Sequence, residues 1–147
     1  EYMMNNPHSV IEPHHLFSSV QDGNPSKDDV MDAIKVLESD SYIRVSYHSG
    51  GVDNWGCDYR PTLFGFQTYC ENYIEGFDKL IDRIAAALVN EEADSNEELN
   101  KLLDEPIYLI EHVMRLFENN GLLKLTEYIG GLISAYSLSP KLKRAIS

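Results

Sequence analysis

The feature that most constrains this 147-residue chain is an internal repeat. The segment 36–45, VLESDSYIRV, aligns with the segment 116–125, LFENNGLLKL, at an offset of 80 residues. In both copies an apolar helical pattern ends in a short polar turn and is followed by a β-branched or leucine-rich segment typical of a strand. A repeated order of elements indicates a duplicated structural unit. The sequence therefore predicts two similar small units in series.

In the first copy, apolar residues first recur at the three- and four-residue spacing of a helix and then, after Asp40, at the two-residue spacing of a strand. Ser26 and Asp29 have the spacing of a capping box, which predicts a helix beginning there. Glycines interrupt the strand period and predict a hairpin. The predicted elements of this copy are helices over 13–20 and 26–40 and strands over 42–47 and 57–63.

The helical period returns after the first hairpin and predicts one long helix over 64–90. Gly76 lies inside it at a cost of roughly 1 kcal/mol relative to alanine, and a bend or a break at this glycine is the alternative. Ser95 and Glu98 have the spacing of a second capping box. The elements that follow are predicted to be helices over 95–103 and 106–119 and strands over 122–129 and 132–138. The predicted domains are 1–75 and 76–147, with helix 64–90 shared at their boundary.

An apolar seam with alternating spacings of four and three residues follows the predicted long helix. Its strongest members are Phe66, Tyr73, Phe77, Leu80 and Ile84. Such a seam either completes the cores of the two domains or packs against the same helix of a second chain as a dimer interface. The first interpretation is preferred, and both remain open at this point.

The repeated unit resembles winged helix-turn-helix domains, in which an apolar helix and a turn precede a two-stranded wing. The first copy matches this pattern at Leu37, Tyr42-Ile43, Tyr59, Thr62 and Gly65, and the second at Phe117, Gly121-Leu122-Leu123, Tyr136, Ser139 and Pro140. Leu142 stands where the family usually has glycine. The resemblance implies a mainly α fold with small antiparallel β-hairpins (α+β), built as tandem winged-helix domains. It also implies that the third helix of each domain would enter the major groove if the protein bound DNA.

The charge of the chain argues against that use of the third helix. Twelve Lys and Arg oppose twenty-four Asp and Glu, giving a net charge of −12 that repels phosphate backbones and anionic lipids at long range. The helix over 26–40 carries five carboxylates against Lys27 and Lys35, and the helix over 106–119 has Glu111 and Glu118 against Arg115. Neither helix is basic. Their carboxylates either contact a protein partner or only solvate an outer helix face, and the charge pattern is consistent with both.

Two sets of residues are candidates for contacts. The candidates for nucleic-acid contact are the cations of the wings and the C-terminal tail, namely Arg44, Arg60, Lys124, Lys141, Lys143 and Arg144. The candidates for partner contact are Trp55, an aromatic residue at the tip of the first wing, and the helix carboxylates Asp28, Asp29 and Asp32. Ordinary surface solvation is the alternative for each set.

The sequence contains no pattern that predicts catalysis. No nucleophile elbow, phosphate-binding glycine loop or His-Glu-x-x-His segment is present, and the histidines near the N-terminus lack the spacing of metal ligands. We expect no cofactor, metal or small-molecule substrate. Cys57 and Cys70 are predicted to be free thiols, and with no membrane span or signal peptide in the pattern we expect a soluble cytoplasmic protein.

Two classes of function remain. The first is a non-catalytic protein-interaction or assembly module, which includes self-association. The second is a DNA-binding transcription regulator that uses the wings and the basic C-terminal tail. The acidic helices favour the first class, and the winged-helix resemblance keeps the second.

Overall fold

A computed structural model describes residues 26–47 and 57–147, which form a mainly helical α+β fold with two small antiparallel hairpins. The predicted fold class is confirmed. The elements are α1 (Lys27–Ser39), β1 (Ile43–Tyr47), β2 (Cys57–Pro61), α2 (Leu63–Tyr73), α3 (Phe77–Asn90), α4 (Asn96–Leu103), α5 (Ile107–Asn119), β3 (Leu123–Glu127), β4 (Ile133–Leu138) and α6 (Pro140–Ile146). The predicted helix over 13–20 lies outside the described residues.

The chain divides into two compact units, Glu1–Tyr69 and Cys70–Ser147, so the division falls inside α2 and before the predicted boundary at 75/76. In the first unit α1 begins at the predicted capping box. The Ser26 side chain accepts a hydrogen bond from the Asp29 N–H, and the Asp29 carboxylate accepts one from the Ser26 N–H, both at 3.2 Å. The apolar face of α1 packs on the hairpin in a core of Val30, Ile34, Ile43 and Tyr59.

In the second unit four helices, α3 to α6, and a hairpin surround a core whose fully buried side chains include Ile84, Leu99, Ile110, Val113 and Met114. α4 again begins at its predicted capping box, formed by Ser95 and Glu98. The hairpin is tied to the segment before α4, because the Ala135 N–H donates to the Asp94 carbonyl at 2.7 Å and Ser95 forms an isolated bridge with Ser134.

The sequence repeat has a counterpart in backbone hydrogen bonds. α5 and β3 occupy the residue ranges of α1 and β1 shifted by the offset of the repeat. Each helix ends in a turn with one left-handed residue, Ser41 (φ 65°) or Gly121 (φ 69°). After that residue the equivalent amides donate in both copies, Tyr42 to the Leu37 carbonyl at 2.9 Å and Leu122 to the Phe117 carbonyl at 2.8 Å.

The two hairpins differ at one aligned position. The repeat aligns Tyr59 with Tyr136, but a bulge in the second hairpin places Ala135, not Tyr136, opposite Leu125. Tyr59 is 2% exposed in the first hairpin, whereas Tyr136 is 64% exposed in the second. An extra residue in a strand reverses the alternation of its side chains between the two faces, which turns Tyr136 outward.

The prediction of one helix over 64–90 is wrong, because two helices separated by 74–76 occupy this range. Gly76, with φ of 73°, precedes α3 as its N-cap residue. A left-handed residue cannot continue a right-handed helix, so the chain must break here. Of the five seam residues, Phe66, Phe77, Leu80 and Ile84 are buried within the chain and Tyr73 is 71% exposed. The burial of these four residues agrees with the preferred interpretation of the seam, in which it completes the cores.

The basic C-terminal segment forms a helix that was not predicted. Ser139 caps α6 by accepting a hydrogen bond from the Leu142 N–H at 3.1 Å, and Pro140 occupies the first helical position. Leu142 is buried, and α6 packs against α3. In the first unit the matching residue, Gly65, has no room for a side chain, because a Cβ atom there would lie 2.0 Å from the Tyr42 carbonyl oxygen.

Candidate functional site

The exposed side of α1 is acidic. Asp28, Asp29, Asp32 and Asp40 are all exposed, and the Asp29 carboxylate is engaged in the capping box. The Lys35 ammonium lies 3.9 Å from Asp32, but both side chains are about seven-tenths exposed, at 69% and 75%. An ion pair this exposed contributes little energy, so the face keeps its negative charge. The other candidate for partner contact in this unit, Trp55, lies outside the described residues.

The charged side chains of α5 form ion pairs and hydrogen bonds with other residues of the second unit. The Arg115 Nη1 atom lies 2.6 Å from the Glu127 Oε1 atom on the second hairpin. The Glu118 carboxylate accepts a hydrogen bond from the Leu125 N–H at 3.1 Å. The Glu111 carboxylate accepts a hydrogen bond from Asn96 at 2.7 Å, and His112 beside it is 3% exposed and so is shielded from a ligand in solvent. α5 therefore presents no unpaired cation.

The candidate nucleic-acid contacts form separate groups. In the first unit Arg44 lies directly opposite Arg60 in the hairpin register, and both are exposed. At the same register of the second hairpin Lys124 lies opposite Ser137. Like charges directly opposite each other are destabilising, and no ion pair within 26–47 and 57–147 compensates the two arginines.

The remaining candidate cations, Lys141, Lys143 and Arg144, are exposed on α6 in the second unit. Lys124 borders a groove of about 320 Å³ that is lined by Glu118, Gly121, Leu123, Lys124, Ser137 and Ser139. Because the Glu118 carboxylate lines the same groove, an incoming phosphate would meet a negative charge beside the ammonium. This groove is consequently a poor phosphate site.

The tip of the second hairpin is the most exposed apolar feature among the described residues. Ile129 is 107% exposed and Tyr128 is 55% exposed. The turn is closed by two backbone hydrogen bonds, from the Tyr128 N–H to the Leu132 carbonyl at 2.8 Å and from the Gly131 N–H to the Tyr128 carbonyl at 3.2 Å.

A buried asparagine holds this tip. Asn96 is 1% exposed, and its amide nitrogen donates to the Glu111 carboxylate at 2.7 Å and to the Gly131 carbonyl at 2.9 Å. Its amide oxygen accepts from the N–H groups of Ile133 and Glu97, both at 3.0 Å. One side chain thus joins the start of α4, the middle of α5 and the hairpin turn.

Sequence reasoning did not select these tip residues or Asn96. The sequence does contain one indication, because Tyr128 and Ile129 directly precede the Gly130-Gly131 turn, where polar residues are usual. Nothing in the local sequence distinguishes Asn96 from any other polar residue near a helix start, because its partners other than Glu97 lie 15 to 37 residues away.

Three further properties of the described residues concern the Cys70 thiol, metal ligands and membrane-spanning helices. Burial, followed by the nearby Glu71 carboxylate, raises the pKa of the Cys70 thiol to about 12, so this thiol stays protonated at neutral pH. Within 26–47 and 57–147, no three His, Cys, Asp or Glu side chains are grouped to hold a metal ion. In the same ranges, no helix has the length and apolar character needed to cross a membrane.

No protein-family model matches this sequence, and no curated protein matches it. The resemblance to winged helix-turn-helix domains therefore stays a prediction from the repeated sequence pattern.

Proposed function

We propose that this chain is a non-catalytic tandem winged-helix module that acts through protein–protein contact or assembly in a regulatory complex. The observation that carries the proposal is that α5, the helix that would read DNA in the second unit, has no unpaired cation. Its arginine is held 2.6 Å from Glu127, and its other charged groups are carboxylates. Winged helices that read DNA need polar and basic side chains free at this surface.

The acidic face of α1 supports the same proposal for the first unit. Asp28, Asp29 and Asp32 project from the first turns of the helix and would meet phosphates at close range in a DNA groove. A basic protein surface removes this repulsion and turns the same charges into favourable contacts. We therefore expect a protein partner with basic character, or self-association. We place the module in the cytoplasm as part of this proposal, because two cysteines suit a reducing compartment.

DNA binding is the second candidate, and one observation favours it. Arg44 and Arg60 lie side by side on the exposed hairpin, and Lys124 occupies the matching position of the second hairpin. Together with the three cations of α6, they could contact phosphates from the wings without using the helices.

A titration of fluorescein-labelled random duplex DNA with the whole chain separates the two candidates. We expect no salt-sensitive binding between about 50 and 200 mM salt, conditions over which several phosphate contacts would change affinity by orders of magnitude. The double variant Arg44→Ser/Arg60→Ser is the matched comparison. Tight binding that weakens steeply with salt and is lost in this variant would overturn the proposal in favour of DNA recognition.

Light scattering during size exclusion, at several protein concentrations, distinguishes self-association from binding to a different protein. Because the chain is strongly acidic, a homotypic contact that used the α1 carboxylates would depend on salt. The variant Asp28→Asn/Asp32→Asn tests this surface and leaves the Asp29 cap intact. If its mass profile equals that of the wild type at every salt concentration, these carboxylates mediate no self-association.

A further inference from the structure

The tip of the second hairpin projects apolar side chains from a defined turn. Ile129 makes no use of its apolar surface within the chain, since it is 107% exposed, and Tyr128 beside it is 55% exposed. Gly130 and Gly131 follow with φ of 97° and 89°, values that residues other than glycine rarely adopt. The turn geometry thus depends on the glycines, and the two residues before them are free to serve another purpose.

Hydrogen bonds to the buried Asn96 side chain fix the backbone of the tip. The Gly131 carbonyl accepts a hydrogen bond from Asn96, and the Ile133 N–H donates to the same side chain. Asn96 is buried at the start of α4, so the C-terminal side of the turn is attached to the core of the unit. A preorganised side chain loses little conformational entropy when it binds, which favours a defined anchor over an adaptable loop.

Carboxylates surround the base of the tip. Glu111 and the Gly131 carbonyl accept hydrogen bonds from the same Asn96 nitrogen, so this carboxylate lies next to the turn. Glu127 ends β3 one residue before Tyr128, and Glu97 follows Asn96 on the exposed side of α4. The cation beside them, Arg115, is paired with Glu127.

Two other exposed apolar side chains, Phe64 and Val36, lack this combination. Phe64 is 57% exposed but stacks on the Tyr42 ring, with the ring centroids 5.3 Å apart. Val36 is 58% exposed on α1, with no second apolar residue beside it among the exposed large hydrophobic side chains of that helix.

We propose that Tyr128 and Ile129 form an anchor that inserts into an apolar pocket with a basic rim on a partner protein. This inference rests on the proposed function in protein contact and names the surface that performs it. A small apolar projection inserted in a pocket is the usual form of an interaction hot spot. The surrounding carboxylates require cations on the partner and disfavour anionic lipid surfaces, nucleic acids and an identical acidic tip.

The test begins by replacing residue 129 of the whole chain with a photo-crosslinking amino acid and residue 36 with the same amino acid as a control. Proteins crosslinked in the native cells from position 129, and not from position 36, are then purified and titrated against the wild type. We expect Ile129→Ser to weaken that binding at least about tenfold. Val36→Ser, the matched change at an exposed aliphatic residue of the first unit, should leave the dissociation constant nearly unchanged. Circular dichroism melting confirms that both variants fold.

Several results would overturn the inference. Position 129 could yield no specific crosslink, or crosslinks only to another copy of this chain. Binding to vesicles of phosphatidylcholine with phosphatidylserine that is lost in Ile129→Ser would identify a lipid contact instead. A partner whose affinity survives Ile129→Ser would refute the anchor and leave the proposed function standing, whereas salt-sensitive DNA binding without any protein partner would refute both.

Discussion

Replacing Asn96 with alanine removes one side chain and disturbs four hydrogen bonds at once. The Ile133 N–H is buried and loses its acceptor, while the Gly131 carbonyl and the Glu111 carboxylate lose their donor. The Glu97 N–H lies in the exposed first turn of α4, where water replaces the lost bond. A buried polar group without a partner costs about 1–3 kcal/mol, and water reaches part of the turn, so we expect a total loss of about 2–4 kcal/mol in the free energy of unfolding.

The loss should be visible in two assays. For a unit of this size it corresponds to a decrease of at least about 8 °C in melting temperature. Amide hydrogen exchange gives the local readout, because the Ile133 N–H should exchange much faster in the variant than in the wild type. Asn119→Ala is the matched control, since it makes the same substitution at an exposed position of α5 in the same unit.

The charge variant Asn96→Asp tests the electrostatic part of the reasoning. It keeps an acceptor for the Ile133 N–H but brings a second carboxylate to the Glu111 carboxylate, which accepts from the Asn96 nitrogen at 2.7 Å in the wild type. The destabilisation should be large at neutral pH and smaller in acid, where one carboxylate of such a pair is protonated. If Asn96→Ala is no less stable than Asn119→Ala, the asparagine does not hold the hairpin turn and the argument for a preorganised tip fails.

Three further predictions follow from individual residues. Gly65→Ala should lower the free energy of unfolding by about 3 kcal/mol, because its Cβ atom would lie 2.0 Å from a backbone carbonyl oxygen, whereas Gly76→Ala, with nothing within 4 Å, should cost only the roughly 1–2 kcal/mol of its left-handed conformation. In a Cys57→Ser background, Cys70, whose pKa burial raises to about 12, should react with a thiol reagent at pH 8 only after unfolding, as measured by the rate of absorbance change. Hydrogen bonds from the backbone N–H groups of Asp94 and Ser95 lower the pKa of Glu98 below its ordinary value of 4.5. The charged carboxylate therefore stabilises the fold above pH 4.5, and this stabilisation is lost as the pH falls through the lowered pKa. Urea unfolding of Glu98→Gln should therefore differ from the wild type at neutral pH and converge with it in acid.

Different results would contradict each of these expectations. Equal losses for the two glycine variants would show that the Gly65 backbone can move away from its neighbour. Rapid labelling of Cys70 in the native protein would show that its burial is transient. A constant difference between Glu98→Gln and the wild type across the acidic range would show that the carboxylate charge does not contribute to the cap.

Much of the local structure was predictable because it depends on residues a few positions apart. Both capping boxes formed at the predicted serines, Ser26 and Ser95, since the groups that satisfy each other are three residues apart. The order of helix, strand and strand in each half followed from changes in the period of apolar residues. Gly76 was identified from the sequence as a cost to a helix and as the place for a bend or a break, but the hydrophobic period continued through it, so one continuous helix was the preferred prediction.

The sequence by itself determined the repeated order of elements, the helix starts and the acidic charge, because each depends on composition or on neighbours within one helical turn. Only the tertiary structure decided that Tyr136 faces solvent, that four seam residues lie in the interior, that Arg115 is paired with Glu127 and that Asn96 holds the hairpin tip. These features join residues far apart in the chain, and a one-residue bulge or a broken helix changes which of them meet. Local sequence patterns do not predict that geometry, because it depends on how the helices and hairpins pack.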